Sequence, residues 1–353
     1  MPRRVLLLIT DLEIGGTPTV VRELATRLNQ PPDVEVEVAC LSKWGPIADQ
    51  IRDAGVAVTA FDARGPRDLL RTVRRLRDLV RERKFDTVFS FLVHANVVAA
   101  LASRKLPGVR FLQSIQTVQP RPRWHWLAQR WAHASAERVV VPSNAIVRYA
   151  SRRSQIPESK FVVIPNAIDP DAFPRVSVFT GPNARAGYLG RLDLAKSPEA
   201  LIQALDMVDL PEAQLHYFGD GPARAELEAA AAAWEVRDRV VFHGAVPRPQ
   251  DALDRIDVLW MPSTVEGFGL VLIEAMASGV PVVAVARGAV LDVVADGKNG
   301  LLVTDTGQIA RSLSRLRDDA ALRSRLIEGG LRTVREKFTW DVVLPQYRQL
   351  LGV

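Results

Sequence analysis

Short apolar runs alternate with longer segments whose apolar positions recur every three or four residues, from one end of the 353-residue chain to the other. Continuous apolar runs bounded by turn residues read as parallel strands buried on both faces, and the 3.6-residue period reads as the helices that cover them. The first such unit is a strand over Val5–Thr10, a loop Asp11–Gly16, and a helix to Leu28 with Val20, Val21, Leu24 and Leu28 inward, Thr17 and Pro18 forming its cap and first turn. Strands follow at Val34–Leu41, Val56–Phe61, Asp86–Phe91, Val109–Ile115, Arg138–Pro142 and Phe161–Pro165, with helices between them at Asp68–Arg83, with Leu69, Val73, Leu76 and Val80 inward, and at Ala95–Ser103. A second series runs through strands Arg185–Tyr188, Gln214–Gly219, Val240–Gly244, Asp257–Met261 and Val280–Val285. Its helices cover Ala223–Trp234 and Asp251–Ile256, with another opened by Ser197 and Pro198. Ile309–Phe338 reads as helix broken at Gly329-Gly330, and a last helix reaches Leu351. The pattern predicts an α/β protein with two doubly wound parallel sheets, and the length agrees with two domains.

The stretch from Ser263 to Ala284 carries the most chemistry. A loop with Gly267 and Gly269 feeds a short helix that opens near Gly269–Leu270 and stops at Gly279. The first amides of such a helix lack internal partners and the helix dipole favours an anion there. Glu266 lies before the helix and Glu274 one turn inside it. A carboxylate beside a bound phosphate is unfavourable, so both read as ligands for sugar hydroxyls; a helix cap and a solvated face are the plainer alternatives. Gly190, Arg191 and Lys196 follow the first strand of the second series, where the two cations suit a diphosphate or surface ion pairs. In the first half, Gly15-Gly16 lacks the Gly-x-Gly-x-x-Gly spacing of a dinucleotide loop and reads as a tight connection or a phosphate approach. His94, just past a strand's carboxyl end, is in the layer where such sheets bind ligands, and a packing role is equally open.

Glu266 and Glu274, with Gly-Phe-Gly-Leu after the first and Ala-Met-Ala-Ser-Gly-Val-Pro-Val-Val after the second, resemble the signature of the family 4 retaining glycosyltransferases. The resemblance implies the GT-B fold, two Rossmann-like domains facing a central cleft with a terminal helix returning to the first. Its boundaries are an acceptor-binding domain over 1–168, a linker over 169–182, a nucleotide-sugar domain over 183–337 and the helix over 338–353. It implies catalytic roles for Glu266, Arg191, Lys196 and His94, and donor binding by Gly16, Gly190, Arg191, Lys196, Phe268, Gly269, Leu270 and Glu274. Acceptor binding falls to His94 and Gln116; many relatives carry a histidine where this chain has Gln116, and glutamine bonds hydroxyls but transfers no proton. The leaving phosphate is then the base, and protein cations with helix amides replace a metal, so no metal and no cofactor are expected. Asp169-Pro-Asp171 reads as a turn rather than a metal motif. The partners implied are a nucleoside-diphosphate sugar, probed first as the UDP or GDP form, and a saccharide or lipid-linked acceptor of cell-envelope synthesis.

Charge adds one further partner. Residues 1–165 hold 26 Lys and Arg against 15 Asp and Glu, whereas residues 166–353 hold 20 against 25. The basic half suits an anionic surface, phospholipid or nucleic acid; with the family resemblance the membrane is expected and nucleic acid is not. Two segments are candidates for it. Arg71, Arg74, Arg75, Arg77, Arg81 and Arg83 form a basic helix face, solvated or lipid-facing, and 119–133 combines Arg121, Arg123 and Arg130 with Trp124, Trp126 and Trp131, as core, sugar-stacking surface or membrane interface. Cys40 stands alone, so no internal disulfide forms; no signal peptide or membrane span is apparent, and a cytoplasmic, membrane-peripheral protein is expected. Two other functions share these features: sugar-nucleotide epimerisation on the same fold, and non-catalytic binding of membrane or nucleic acid.

Overall fold

The computed structural model describes residues 3–118, 122–181 and 183–353. The chain divides into two compact units, 1–166 with 341–353, and 167–340.

The first unit holds seven parallel strands: β1 (Arg3–Ile9), β2 (Val34–Cys40), β3 (Ala57–Ala60), β4 (Thr87–Phe91), β5 (Arg110–Ser114), β6 (Arg138–Val141) and β7 (Phe161–Val163), in the order β3-β2-β1-β4-β5-β6-β7. Leu8 of β1 lies opposite Ala39 on one side and Ser90 on the other. Strand order reverses beside β1, so the loops after β1 and β4 diverge to opposite faces and leave a crevice at their carboxyl ends. The sheet is sealed by apolar residues such as Leu6, Leu8, Val88 and Phe111, packed against Val73, Leu76 and Val80 of the helix Leu69–Glu82.

The arginines of that helix are not a free basic face. Arg75 donates to the carbonyls of Phe61 and Ala60, Arg77 to those of Leu101 and Ala102, and Arg81 to that of Lys105. Arg77 thereby caps the last turn of the neighbouring helix Val93–Ser103, where the dipole favours a cation. Arg71 pairs with Asp68 and Arg83 with Glu37. These side chains hold elements together, which corrects the reading of the whole face as solvated or lipid-facing. The helix Gly16–Leu28 begins on Gly15, with no side-chain cap, so Thr17 is not its cap.

The helix Trp340–Leu351 lies almost wholly in the first unit. Val343, Tyr347 and Leu351 are buried, the Tyr347 ring sits 6.3 Å from that of Phe89, and Arg110 of β5 donates to the carbonyls of Leu350 and Leu351.

The second unit holds six parallel strands, β8 (Arg185–Leu189), β9 (Gln214–Phe218), β10 (Val240–Gly244), β11 (Val258–Met261), β12 (Val282–Val285) and β13 (Leu301–Val303), in the order β10-β9-β8-β11-β12-β13. Order again reverses beside the first strand, here β8. At the opposite edge Asp257 is fully buried but saturated: Arg185 reaches it with two bonds of 3.0 Å, and the amides of Phe179 and Arg185 donate to it as well. His243 stacks on Phe218 and bonds His216 at 2.9 Å, and burial pushes His216 down to about 4, so this pair is neutral packing.

Three expectations are corrected here. The break in the long helical segment falls at Asp319, between helices Thr306–Asp318 and Ala320–Lys337, and the latter runs unbroken through Gly329 and Gly330. Those glycines are there for space: a Cβ on Gly329 would lie 1.8 Å from the Lys298 carbonyl oxygen, and one on Gly330 would lie 3.0 Å from Met276. Ser197 is no helix cap but a left-handed residue (φ 53) ending a 3-10 turn over Leu194–Lys196. The segment expected as a linker is packed into the second unit, with Phe173 in its core and the Val176 amide donating to the Ser278 carbonyl.

Candidate functional site

In the second unit the loops that leave β8 and β11 flank the point of reversal. The β8 loop is held by main-chain contact. Gly190 adopts φ 152, Tyr188 donates its hydroxyl to the Arg191 carbonyl at 2.9 Å, and the next loop lies directly against it. A Cβ on Gly219 would sit 1.9 Å from the Gly190 oxygen, and one on Gly221 would sit 2.3 Å from the Leu192 oxygen. Only glycine fits either place, so Gly219 and Gly221, which read as an ordinary turn in the sequence, position the Arg191–Lys196 loop. Asp193 caps the 3-10 turn through the Ala195 amide, and Lys196 ends it.

Lys196 and Glu266 then meet, Nζ to Oε1 at 3.1 Å, with Glu266 nearly enclosed and about a third of the Lys196 side chain exposed. Arg191 goes elsewhere: its guanidinium is 3.8 Å from Asp193 and the side chain is 70% exposed. The β11 loop ends in Gly269, left-handed at φ 87, and the helix Leu270–Ser278 starts there and stops at Gly279, also left-handed. The turn leaves the opening amides of the helix without intrahelical partners. Phe268 was expected at the donor; its ring is in the core, 5.5 Å from Phe338 and edge-on, so it has main chain alone to offer. Glu274, one turn into the helix, keeps some accessible surface, yet protein surrounds it deeply enough that burial pushes its carboxyl up to about 7. A carboxyl so placed gains from hydroxyl donors that restore its lost hydration.

The first unit has its own crevice, a cavity of about 240 Å³ at the ends of β1, β4 and β5. Against the roughly 300–1,000 Å³ of whole ligand clefts this holds one part of a ligand. His94 and Gln116 both line it, with Thr10, Asp11 and His125. His94 lies at the rim in the first turn of Val93–Ser103, which starts from Leu92 at φ 72, a backbone state that bulky residues adopt at a cost of about 1–3 kcal/mol. Protein crowding lowers the His94 pKa despite the opposing pull of Asp11. Its ring is 5.3 Å from His125 and 5.6 Å from Trp124. Beneath lies a buried amide network: Ser90 donates to Asn96, Asn96 to Gln129 and the Ser114 carbonyl, and Gln129 to Gln113. Gly16, expected to face the donor, is exposed at the start of its helix beyond the Asp11 loop. His94, Gln116 and Gly16 thus belong to one unit and Lys196, Glu266, Gly269 and Glu274 to the other.

Among the described residues, no three His, Cys, Asp or Glu side chains group closely enough to hold a metal ion. The Asp169-Pro-Asp171 triplet is a turn in which Asp169 accepts from the Asp171 amide.

Two crevices at the reversal points of two doubly wound sheets define a two-domain Rossmann-like architecture with a ligand crevice in each unit, and comparison with known proteins names it. The profile of "Glycosyl transferases group 1" matches residues 171–333 and that of "Glycosyltransferase Family 4" matches residues 14–172. A D-inositol 3-phosphate glycosyltransferase of Xylanimonas cellulosilytica is 37% identical over 58% of this chain and 56% of its own. The sulfoquinovosyl transferase SQD2 of Arabidopsis thaliana is 28% identical over 73% of this chain and 55% of its own. The chain thus spans little more than half the length of these relatives. Among solved structures, Anabaena HepE, in complex with UDP and glucose, superposes with a TM-score of 0.87 at 21% identity, covering 99% of both chains. Sucrose-phosphate synthase from Thermosynechococcus elongatus gives 0.81 at 22%, covering 99% of this chain and 100% of that one. The chain belongs to the family 4 glycosyltransferases and has the GT-B fold.

Proposed function

We propose that the protein transfers a sugar, with retention at the anomeric carbon, from a nucleoside-diphosphate sugar to a hydroxyl of a saccharide or lipid-linked acceptor in cell-envelope synthesis, without a metal ion. The observation that carries this is the contact of Lys196 with Glu266, three residues before the Gly269 turn that opens Leu270–Ser278, beside the reversal point of the second sheet. The bond from the anomeric carbon to the diphosphate oxygen breaks, the acceptor oxygen takes that carbon, and its proton passes to the departing phosphate. Lys196 and the helix amides stabilise the charge growing on the leaving group. Arg191, exposed and only loosely paired with Asp193, adds a second cation when the donor arrives. Glu266 orients the donor sugar and Glu274 holds the ribose hydroxyls. UDP is the favoured nucleotide, since the relative of similar fold from Anabaena was solved with UDP and with UDP-glucose.

A thermal-shift screen of UDP- and GDP-sugars on the full chain tests donor binding, because a ligand stabilises the folded state in proportion to its affinity. Incubation of the stabilising donor alone, followed by analysis of its sugar, separates transfer from epimerisation; an altered free donor sugar overturns the transferase reading.

Membrane association is supported by the helix Trp124–Ala132. Trp126 is buried, whereas Trp124, Leu127 and Trp131 are 49%, 63% and 41% exposed and fall on one helical stripe, with Arg123 and Arg130 also exposed; Arg121 of the same segment lies outside the described residues. Aromatic residues with flanking arginines suit the lipid headgroup layer. No helix among the described residues is long and apolar enough to cross a membrane. Sedimentation with anionic vesicles at low salt is expected, and failure to sediment refutes it.

A further inference from the structure

We propose that the first unit's cavity takes a neutral, hydroxyl-rich part of the acceptor and refuses a phosphate monoester. This rests on the transferase reading above and narrows its acceptor. Gln116 decides it. The Ser114 hydroxyl donates to the Val140 carbonyl at 3.1 Å and accepts from Gln116 Nε2 at 2.8 Å. In this arrangement the amide nitrogen faces Ser114 and the oxygen faces away from it. Gln116 Oε1 is left buried with no hydrogen-bond partner, on a residue only 5% exposed that lines the cavity. A carbonyl oxygen accepts and never donates, so its missing partner must bring an O–H or N–H.

The other side chains of the wall are uncharged apart from one carboxylate. Asp11 adds a carboxylate, and the Thr10 hydroxyl oxygen is a second buried atom without a partner. Both protons of the Asn96 amide are taken by the Ser114 carbonyl and Gln129, so Asn96 offers a ligand no free donor. His94 and His125 are each held below the ordinary imidazole value by burial, and so are uncharged at neutral pH. Among the described residues lining the cavity there is no lysine or arginine. A phosphate monoester would set its oxygens against the Gln116 and Asp11 acceptors with no side-chain cation to offset them, leaving only the opening turn of Val93–Ser103 on its side. A polyol supplies O–H groups to Gln116 and Asp11 and accepts from Thr10.

The test uses matched probes on the full chain saturated with UDP: myo-inositol against D-inositol 3-phosphate, and methyl α-D-glucopyranoside against glucose 6-phosphate, followed by saturation-transfer NMR. A neutral probe is expected to bind at least about tenfold more tightly than its phosphate partner, and Gln116→Leu to weaken the neutral probe by about tenfold or more. Equal or tighter binding of the phosphate esters, or no binding of either neutral probe, overturns the proposal. Neutral binding unchanged in a folded Gln116→Leu protein does so too; if that variant does not fold, the wild-type comparison decides alone. A thermal shift with UDP-glucose is run beside it. Its absence sinks the transferase reading, whereas a shift accompanied by a preference for phosphate esters sinks only the acceptor assignment.

Discussion

Replacing Lys196 with alanine separates charge stabilisation from simple donor capture. The ammonium stands 3.1 Å from the Glu266 carboxylate in the free protein. Two unit charges at that distance attract by about 1 kcal/mol at the dielectric of water and about 5 kcal/mol at an effective value of 20. With about a third of the lysine side chain in solvent, the lower part of that range applies. An incoming diphosphate, with more than one negative charge, would therefore draw the ammonium from the carboxylate, and under the proposed function the pair stores the cation where the leaving group would form. Removing it forfeits a donor aimed at developing charge, about 2.7–4 kcal/mol or 100–1,000-fold in rate. It also leaves Glu266 uncompensated near the phosphate, which pushes the same way. Initial rates of UDP release from UDP-glucose in the presence of acceptor, with kcat and donor KM resolved, should place most of the loss on kcat. A folded Lys196→Ala protein that turns over within about threefold of the parent would mean that Lys196 does not stabilise the leaving group.

Three other outcomes are expected. Activity should survive EDTA; a loss restored by Mn²⁺ or Mg²⁺ would put a metal on the diphosphate. Glu274, raised to about 7 by burial, accepts ribose hydroxyls best when ionised, so UDP-glucose affinity should fall as pH drops below about 7, at most tenfold per unit. The ligand itself does not titrate there, and Glu274→Gln should flatten the profile; an unchanged profile refutes the assignment. Gly329→Ala sets two effects against each other: alanine favours the helix by up to about 1 kcal/mol, but its methyl would meet a backbone oxygen at 1.8 Å, an overpacking cost of about 1–3 kcal/mol or more. The clash should win and lower Tm by several degrees, and a rise in Tm would refute it.

The strands were legible because both faces of a parallel sheet are buried, so β11 and β12 appear as unbroken apolar runs and β1 carries one over Val5–Ile9. The helix start at Leu270 and its stop at Gly279 were legible from glycines needed at left-handed positions. What stayed hidden depends on neighbours distant in sequence. Gly329-Gly330 looked like a helix break because propensity knows nothing of Lys298 and Met276 across the interface. Gly219 and Gly221 looked like a turn for the same reason, and the arginines of Leu69–Glu82 looked solvated because their carbonyl partners belong to other elements. The polar floor of the first cavity left one trace, Gln113-Ser114 closing β5 after Phe111-Leu112, where uncharged polar side chains on a buried element call for partners. The strained Leu92 backbone left none.

The first unit is discontinuous in the chain, and this bears on its biogenesis. A ribosome finishes β7 and then makes roughly 175 further residues before Val343 and Tyr347 emerge, on the order of 10–35 s at ordinary elongation rates. Throughout that interval the nascent domain has the aromatic patch around Phe89 without its Tyr347 cover. The downstream half can fold as an uninterrupted segment, so the earlier-made half is the last to be completed, and it is the half that should occupy chaperones during synthesis.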